Sequence, residues 1–274
     1  QLATNAVLFP GRGLNVTAGG AIGTSHYSGL QTSLVQHMTH GLQYTVAYTW
    51  SHATDNSNGA FSINTNSPIF VDASGRVLLG ANKGNSDTDQ RHAFVLSSLY
   101  ELPFGRNKQF GAGWSGLVDN ILGGWQFNNI VSLGTGTPFD ITIDGVRPDV
   151  LGPVSIGSLQ SVKGGKQWIT AATGAFVDPP RISGPNSPFT RPGTLGRNHF
   201  YGPGYGSWDA SLFKNFTLTE RVKMQFRAEG FNILNHPQFV SPDAKVRDGS
   251  GFGVINNTRQ FSERQIQFAF RFTF

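Results

Sequence analysis

From Gln265 to Phe274 the chain alternates without a break. Ile266, Phe268, Phe270, Phe272 and Phe274 fall on one face of an extended strand, and Gln265, Gln267, Ala269, Arg271 and Thr273 on the other. The same period of two runs from Gly41 to His52. There Leu42, Tyr44, Val46, Tyr48 and Trp50 share a face opposite Gln43, Thr45, Ala47, Thr49 and Ser51. It recurs from Arg221 to Glu229, where Val222, Met224, Phe226 and Ala228 alternate with Lys223, Gln225, Arg227 and Glu229. Weaker versions occupy 24–38, 91–101, 124–137 and 206–217, which brings the predicted strands to seven, with no segment of helical period. Ile130 and Phe213 fall on the wrong side of their strands. Lys214 falls on the apolar side, near a strand end where its ammonium could reach an interface.

The connections alternate as well. Tight turns are predicted at Thr39-His40 and Leu218-Thr219, while 55–90, 138–205 and 235–261 are long and rich in Gly, Pro, Asn, Asp and Ser. Short turns on one side and long loops on the other are the habit of outer-membrane barrels, whose strands present an apolar face to lipid and a polar face to the lumen. With the C-terminus in the periplasm, both tight turns fall inside and all three long loops outside. The connection 103–123 breaks the rule: it belongs on the short side but is long, so the strand register around it is open. In a soluble domain, a structureless loop as long as 138–205 would count against the strand assignments. In a receptor barrel, such a loop covers and selects ligand.

Composition agrees. Charged residues make up 14% of the 274, against about 25% in an average domain. Gly, at 35, is nearly twice its usual share. Without cysteine there is no disulfide framework and no thiolate metal site. The net charge of +5 is spread along the chain without a Lys/Arg block, so nucleic acid is not an expected partner. No stretch approaches the roughly 18 apolar residues of a membrane helix. A mean hydropathy of −0.21 still suits strands with one lipid face. The chain begins at Gln1 with no signal peptide, so the expectation is a processed N-terminus or a start within a longer protein.

Several segments, in order, resemble the large Oar-like TonB-dependent outer-membrane receptors. They are Tyr27-Ser-Gly-Leu-Gln-Thr-Ser-Leu34 with His40 to Ser51, Asp89-Gln-Arg-His-Ala-Phe through Gly105, Gly123-Gly-Trp-Gln126, Gly136-Thr-Pro-Phe139, Trp208 to Phe216, Arg227 to Phe239, and Arg264 to Phe268. The resemblance covers about Tyr27 to Phe274. It implies an all-β fold: an antiparallel, up-and-down transmembrane β-barrel segment that forms the C-terminal portion (1–274) of a wider barrel in the bacterial outer membrane. It also implies a plug domain, a TonB box and the roughly 22 strands of the plugged class. None of the three is found in these residues. The partners implied are outer-membrane lipid, the barrel-assembly machinery, for which the terminal aromatic strand resembles the recognition signal, and TonB through the missing N-terminal part.

Sharper chemistry finds little support. His37-Met-Thr-His40 has H-x-x-H spacing, but on a strand and turn the rings do not share a face, so a turn or interface role is preferred to metal. The oxygen-rich Asn85-Ser-Asp-Thr-Asp-Gln-Arg91 and Asp55-Asn-Ser-Asn58 lack EF-hand spacing and are read as solvated loops rather than Ca²⁺ sites. Gly134-Thr-Gly-Thr-Pro138 and Gly251-Phe-Gly253 precede no helix and are turn or bulge glycines. Tyr44, Tyr48, Trp50 and Trp125 could stack on sugar, though a barrel girdle is preferred. No hydrolase, metalloprotease or paired-carboxylate pattern is present, and the seven histidines are scattered. The expectation is therefore a non-enzyme with no cofactor, metal or catalytic residue. Lys223, Arg227, Glu229 and Arg271 are expected on the lumen face as cross-strand charge pairs, with contact to plug or ligand as the sharper alternative. Ile266, Phe268, Phe270, Phe272 and Phe274 are expected to face lipid. Two other readings stay open. A secreted sandwich or lectin-like module would bury Phe268, Phe270 and Phe272 between sheets. A small self-contained barrel would need an eighth strand from 8–22 closing on 264–274.

Overall fold

The computed structural model describes residues 23–56, 79–181 and 191–274. The candidate eighth strand at 8–22, Asn58 and much of the 55–90 connection lie outside them. In chain order the strands are β1 (Ser25–Thr39), β2 (Leu42–Asp55), β3 (Gly84–Asn85) and β4 (His92–Glu101); then, after helix α1 (Gly116–Leu122), β5 (Trp125–Gly134), β6 (Pro138–Phe139), β7 (Asp149–Val150), β8 (Val154–Val162), β9 (Gly165–Ala171), β10 (Phe176–Val177) and β11 (Phe200–Tyr201); and finally β12 (Tyr205–Thr217), β13 (Lys223–Phe231), β14 (Val254–Ile255) and β15 (Gln265–Thr273).

All seven predicted strands form. They pair antiparallel in the order β1-β2-β4-β5-β12-β13-β15, with β3 beside the end of β2. Each long strand bonds to its neighbour in sequence, so the sheet is a meander, and β1 and β15 are its two ends. The β1–β2 turn centres on His40 and Gly41, at φ +51° and +79°. Two successive positive φ values make the turn whose twist suits a hairpin, which is why Gly stands second. The β12–β13 turn is longer than predicted and is tied by Thr219 Oγ1 accepting from Arg221 N (3.3 Å) and Val222 N (3.1 Å). The 103–123 connection does not disturb the register. Leu102 N donates to Trp125 O (2.9 Å), and Glu101 pairs with Gln126. The extra residues instead fold as a compact projection ending in α1.

The long connections are not structureless. The β5–β12 and β13–β15 connections fold together into one lobe. Its central sheet has the order β14-β9-β8, so β14 crosses from the second connection to pair with β9 of the first. Ile141, Ile143, Ile169, Ala175, Phe176 and Leu195 form the buried core, with Trp168, Val246 and Phe252 packed against it. The protein's buried apolar cluster thus sits at the long-loop end and not under the seven-stranded sheet.

Polar contacts fasten this lobe to the sheet. Arg197 is 2% exposed. Its guanidinium donates to Asp55 O (3.0 Å) and to the Asp55 carboxylate, and lies 3.8 Å from Asp87. Asn198 and Asn85 exchange side chain-to-backbone bonds at 2.8 and 2.9 Å. Asp89, fully buried, accepts from Ala53 N (2.6 Å) and the Tyr201 hydroxyl (2.6 Å) and pairs with Arg91 Nε (3.0 Å). The oxygen-rich segments read as solvated loops are therefore in large part an ionic seam, in which a guanidinium supplies the cation. The chain passes so close here that a Cβ on Gly84 would lie 2.5 Å from Arg197 O.

Two predictions follow from the lobe's charges. Replacing Arg197 with Met strands the Asp55 carboxylate; the lobe should lose about 3–5 kcal/mol, read as protease cleavage within 135–204 while the strand signal of the sheet persists. The second concerns Asp149. The bidentate Arg191 (2.7 Å to each oxygen), aided by Thr194 N (2.8 Å), holds its carboxyl below the usual carboxylate range, although burial opposes this. A depressed folded value contributes stability that is present above the ordinary value and is lost as pH falls through the folded one. Protection of the Thr194 amide from hydrogen exchange should hold from pH 7 to 5 and collapse only below about pH 4.

Candidate functional site

Because partners across a ladder share a face, the register joins the alternating strands into two continuous surfaces. One runs from Ile266, Phe268, Phe270 and Phe272 to Met224, Phe226 and Ala228. It continues through Phe216 and Leu212, then Trp125, Phe127, Val131 and Leu133. Across Tyr100, Leu96 and Phe94 it reaches Leu42, Val46, Tyr48 and Trp50, and ends on Leu30 and Leu34. Phe226 sits at the centre of an aromatic run, 5.2 Å from Phe270, 6.4 Å from Phe268 and 6.0 Å, edge-on, from Trp125. Phe268, Phe270 and Phe272 are 69%, 60% and 50% exposed, Ile266 is 64% and Phe274, beyond the strand, 91%. A sandwich would bury these rings, and no second sheet covers them among the described residues. From Leu42 to Trp50 the band runs about 27 Å along the strand, close to the roughly 25 Å apolar height of an outer-membrane barrel.

The opposite face carries Lys223, Gln225, Arg227 and Glu229 on β13, with Thr273, Arg271, Ala269 and Gln267 opposite them on β15. Arg227 and Glu229 approach to 4.0 Å. Arg227 Nε also donates to Gln225 Oε1 (2.6 Å), Gln225 Nε2 to Asn215 Oδ1 (2.8 Å), and Gln267 Nε2 to Glu229 Oε2 (2.5 Å). Arg227 and Glu229 thus approach each other along β13 rather than across strands, and each has an amide partner of its own, whereas Lys223 and Arg271 share the face nearer the short-turn end. Ile130 and Phe213 lie on this polar face, opposite Asp209 and Gln126. The exceptions in the alternation are therefore real positions and not register errors.

A family model described as an outer membrane beta barrel domain matches residues 4–267. The chain belongs to that family. No curated protein and no solved structure matches it. In an outer-membrane barrel domain the exposed aromatic band has an occupant, the hydrocarbon of the bilayer, and the domain resides in the outer membrane. Among the described residues no group of three or more His, Asp or Glu side chains could hold a metal.

The domain also has a pocket that the alternation does not reveal. It has a volume of about 400 Å³ and opens at the long-loop end of β12, β13 and β15. Ser207, Asp209, Phe231 and Gln265 come from the polar face, and Arg259 and Phe261 from the connection above. Asp209 accepts from Asn232 N (2.8 Å), and Asn232, at φ +45°, bonds His236 and Ser262. Asn232 thereby folds the connection back over the pocket. Arg259 lies over the Tyr205 ring at 5.5 Å. In the sequence, Arg227 to Phe239 carries only the resemblance to the receptor family; the signal that could have found this arrangement is Asn232 after Gly230-Phe231, since Asn is a common left-handed residue.

The two faces make opposite demands at adjacent positions of β15. Phe270→Arg should cost about 2–4 kcal/mol of folding stability in a bilayer, whereas Ala269→Arg, one residue away on the polar face, should change it little. Urea unfolding in lipid vesicles compares them, and equal penalties would contradict the assignment of faces.

Proposed function

We propose that this domain is the C-terminal part of the barrel of a TonB-dependent receptor, which in the intact protein takes up a bulky ligand across the outer membrane with energy delivered from the inner membrane. The observation that carries the reading is the cored lobe built from two long connections. A large, ordered structure on the long-loop side, held by the buried Arg197 seam, suits a receptor that must cover and select a ligand, where a passive pore needs only turns. On this reading the tight turns are periplasmic, the lobe extracellular and the polar face luminal, with Lys223, Arg227, Glu229 and Arg271 along the lumen and the Arg259 pocket at its mouth.

The sheet's ends support a wide barrel. The described strands leave β1 and β15 with unpaired edges, and backbone groups without partners are not tolerated in hydrocarbon. Strands beyond these seven must close the circle, as a plugged barrel provides. TonB would be engaged by the N-terminal part of the intact protein, and assembly would use the terminal strand. The reading includes no enzymatic step.

Sequencing the gene upstream of the Gln1 codon tests it. The expected result is an open frame encoding further alternating strands, a plug and a TonB box. A start site close to Gln1 with none of these would overturn it.

A further inference from the structure

The β4–β5 connection contains surface that the barrel reading leaves unexplained. Phe104 and Phe110 pack at 5.8 Å, and α1 follows after a turn. Leu117, Val118, Ile121 and Leu122 lie on one side of α1 and are 78%, 38%, 63% and 52% exposed, and no residue of the helix is buried. Asp119 points elsewhere and accepts from Arg106 N (2.7 Å). A single isolated turn or two of helix does not hold itself in water, so something must fix it.

What fixes it comes from the apolar face of the sheet. Trp125 Nε1 donates to Ile121 O (2.9 Å). The Lys214 ammonium, on a side chain only 3% exposed, donates to Asp119 O (3.3 Å) and to Gly123 O, with the Phe216 and Trp125 rings 5.0 and 5.7 Å away. The lysine on the lipid side of its strand is thus bound to the carbonyl end of α1, where a cation is favoured. The helix is thereby anchored at the rim of the aromatic band, its aliphatic side without a partner among the described residues.

We propose that the 104–124 segment is an interfacial foot whose aliphatic side lies in the phospholipid leaflet on the short-turn side of the membrane. Continuity with the lipid band identifies the occupant, because Trp125 and Lys214 lie on the face of the band and also hold the helix. The exposed Arg106 beside it suits a lipid phosphate, as the basic flank of an interfacial helix does. Seated there, the foot fixes the depth of β5 and β12 in the bilayer. That the leaflet is the periplasmic one rests on the sidedness proposed above.

The absence of cysteine from this chain makes single-site labelling clean. Ile121→Cys, Phe270→Cys and, as the reference in the exposed β8–β9 turn of the lobe, Lys163→Cys are prepared in the full gene product, with any cysteine outside this chain changed to serine. Each is labelled with bimane and reconstituted in phosphatidylethanolamine–phosphatidylglycerol vesicles containing nitroxide lipid. The expected result is quenching at 121 at least about twofold above that at 163, stronger from a shallow nitroxide than from a deep one, with 270 quenched by the deep one. Quenching at 270 but not at 121 overturns the foot alone. Quenching at neither site overturns the membrane placement of the band and the foot with it.

Discussion

Everything in this domain depends on one alignment: neighbouring strands must meet in a register that keeps every second residue on the same side. A slip of one residue of β15 against β13 would carry Phe268 and Phe270 to the polar face and Arg271 to the apolar one. Five of the six pairings from β1 to β15 hold that alignment throughout, and β1–β2 shifts only beside its turn, between Gln36 and Thr39. Because the apolar face is solvated by lipid, the sheet needs no core beneath it, and its hydrogen bonds are completed by neighbouring strands.

That has a consequence for the loops. A soluble β-domain spends its aliphatic residues under its sheets, whereas here Ile141, Ile169 and Phe176 are gathered outside, in a lobe that behaves as a small globular unit. Hydrophobic burial holds that unit together internally, and charge attaches it to the strands. Arg197 and Asp89 are buried, and the half-buried Asp55 and Tyr201 hydrogen-bond to them, the condition under which ionic groups can be kept away from water.

The sheet was legible in the sequence because period-two alternation is a local property: β2, β13 and β15 can be read from nine or ten consecutive residues. The lobe was not, since its strands are short and its core unites residues from separate connections, such as Phe176 and Phe252 at 5.7 Å. A rich content of Gly, Pro and Asn described its turns correctly and hid the core between them. Asp55 and Asp87 were visible as oxygen donors, but the cation they share, Arg197, is far away in sequence. Lys214 was recognised as anomalous, while the carbonyls that receive it lie in a connection whose pattern suggested only a misplaced register.

The pairing of β14 with β9 also sets an order of assembly. The middle strand of the lobe waits for a partner that follows β13, so Gln167 cannot find Val254 until nearly the whole chain is available. Contacts so distant along the chain close slowly. Because β14 lies in the connection between β13 and β15, the lobe and the pairing of those two strands mature together, and the segment that completes the lobe is held in place by the last pairing of the sheet.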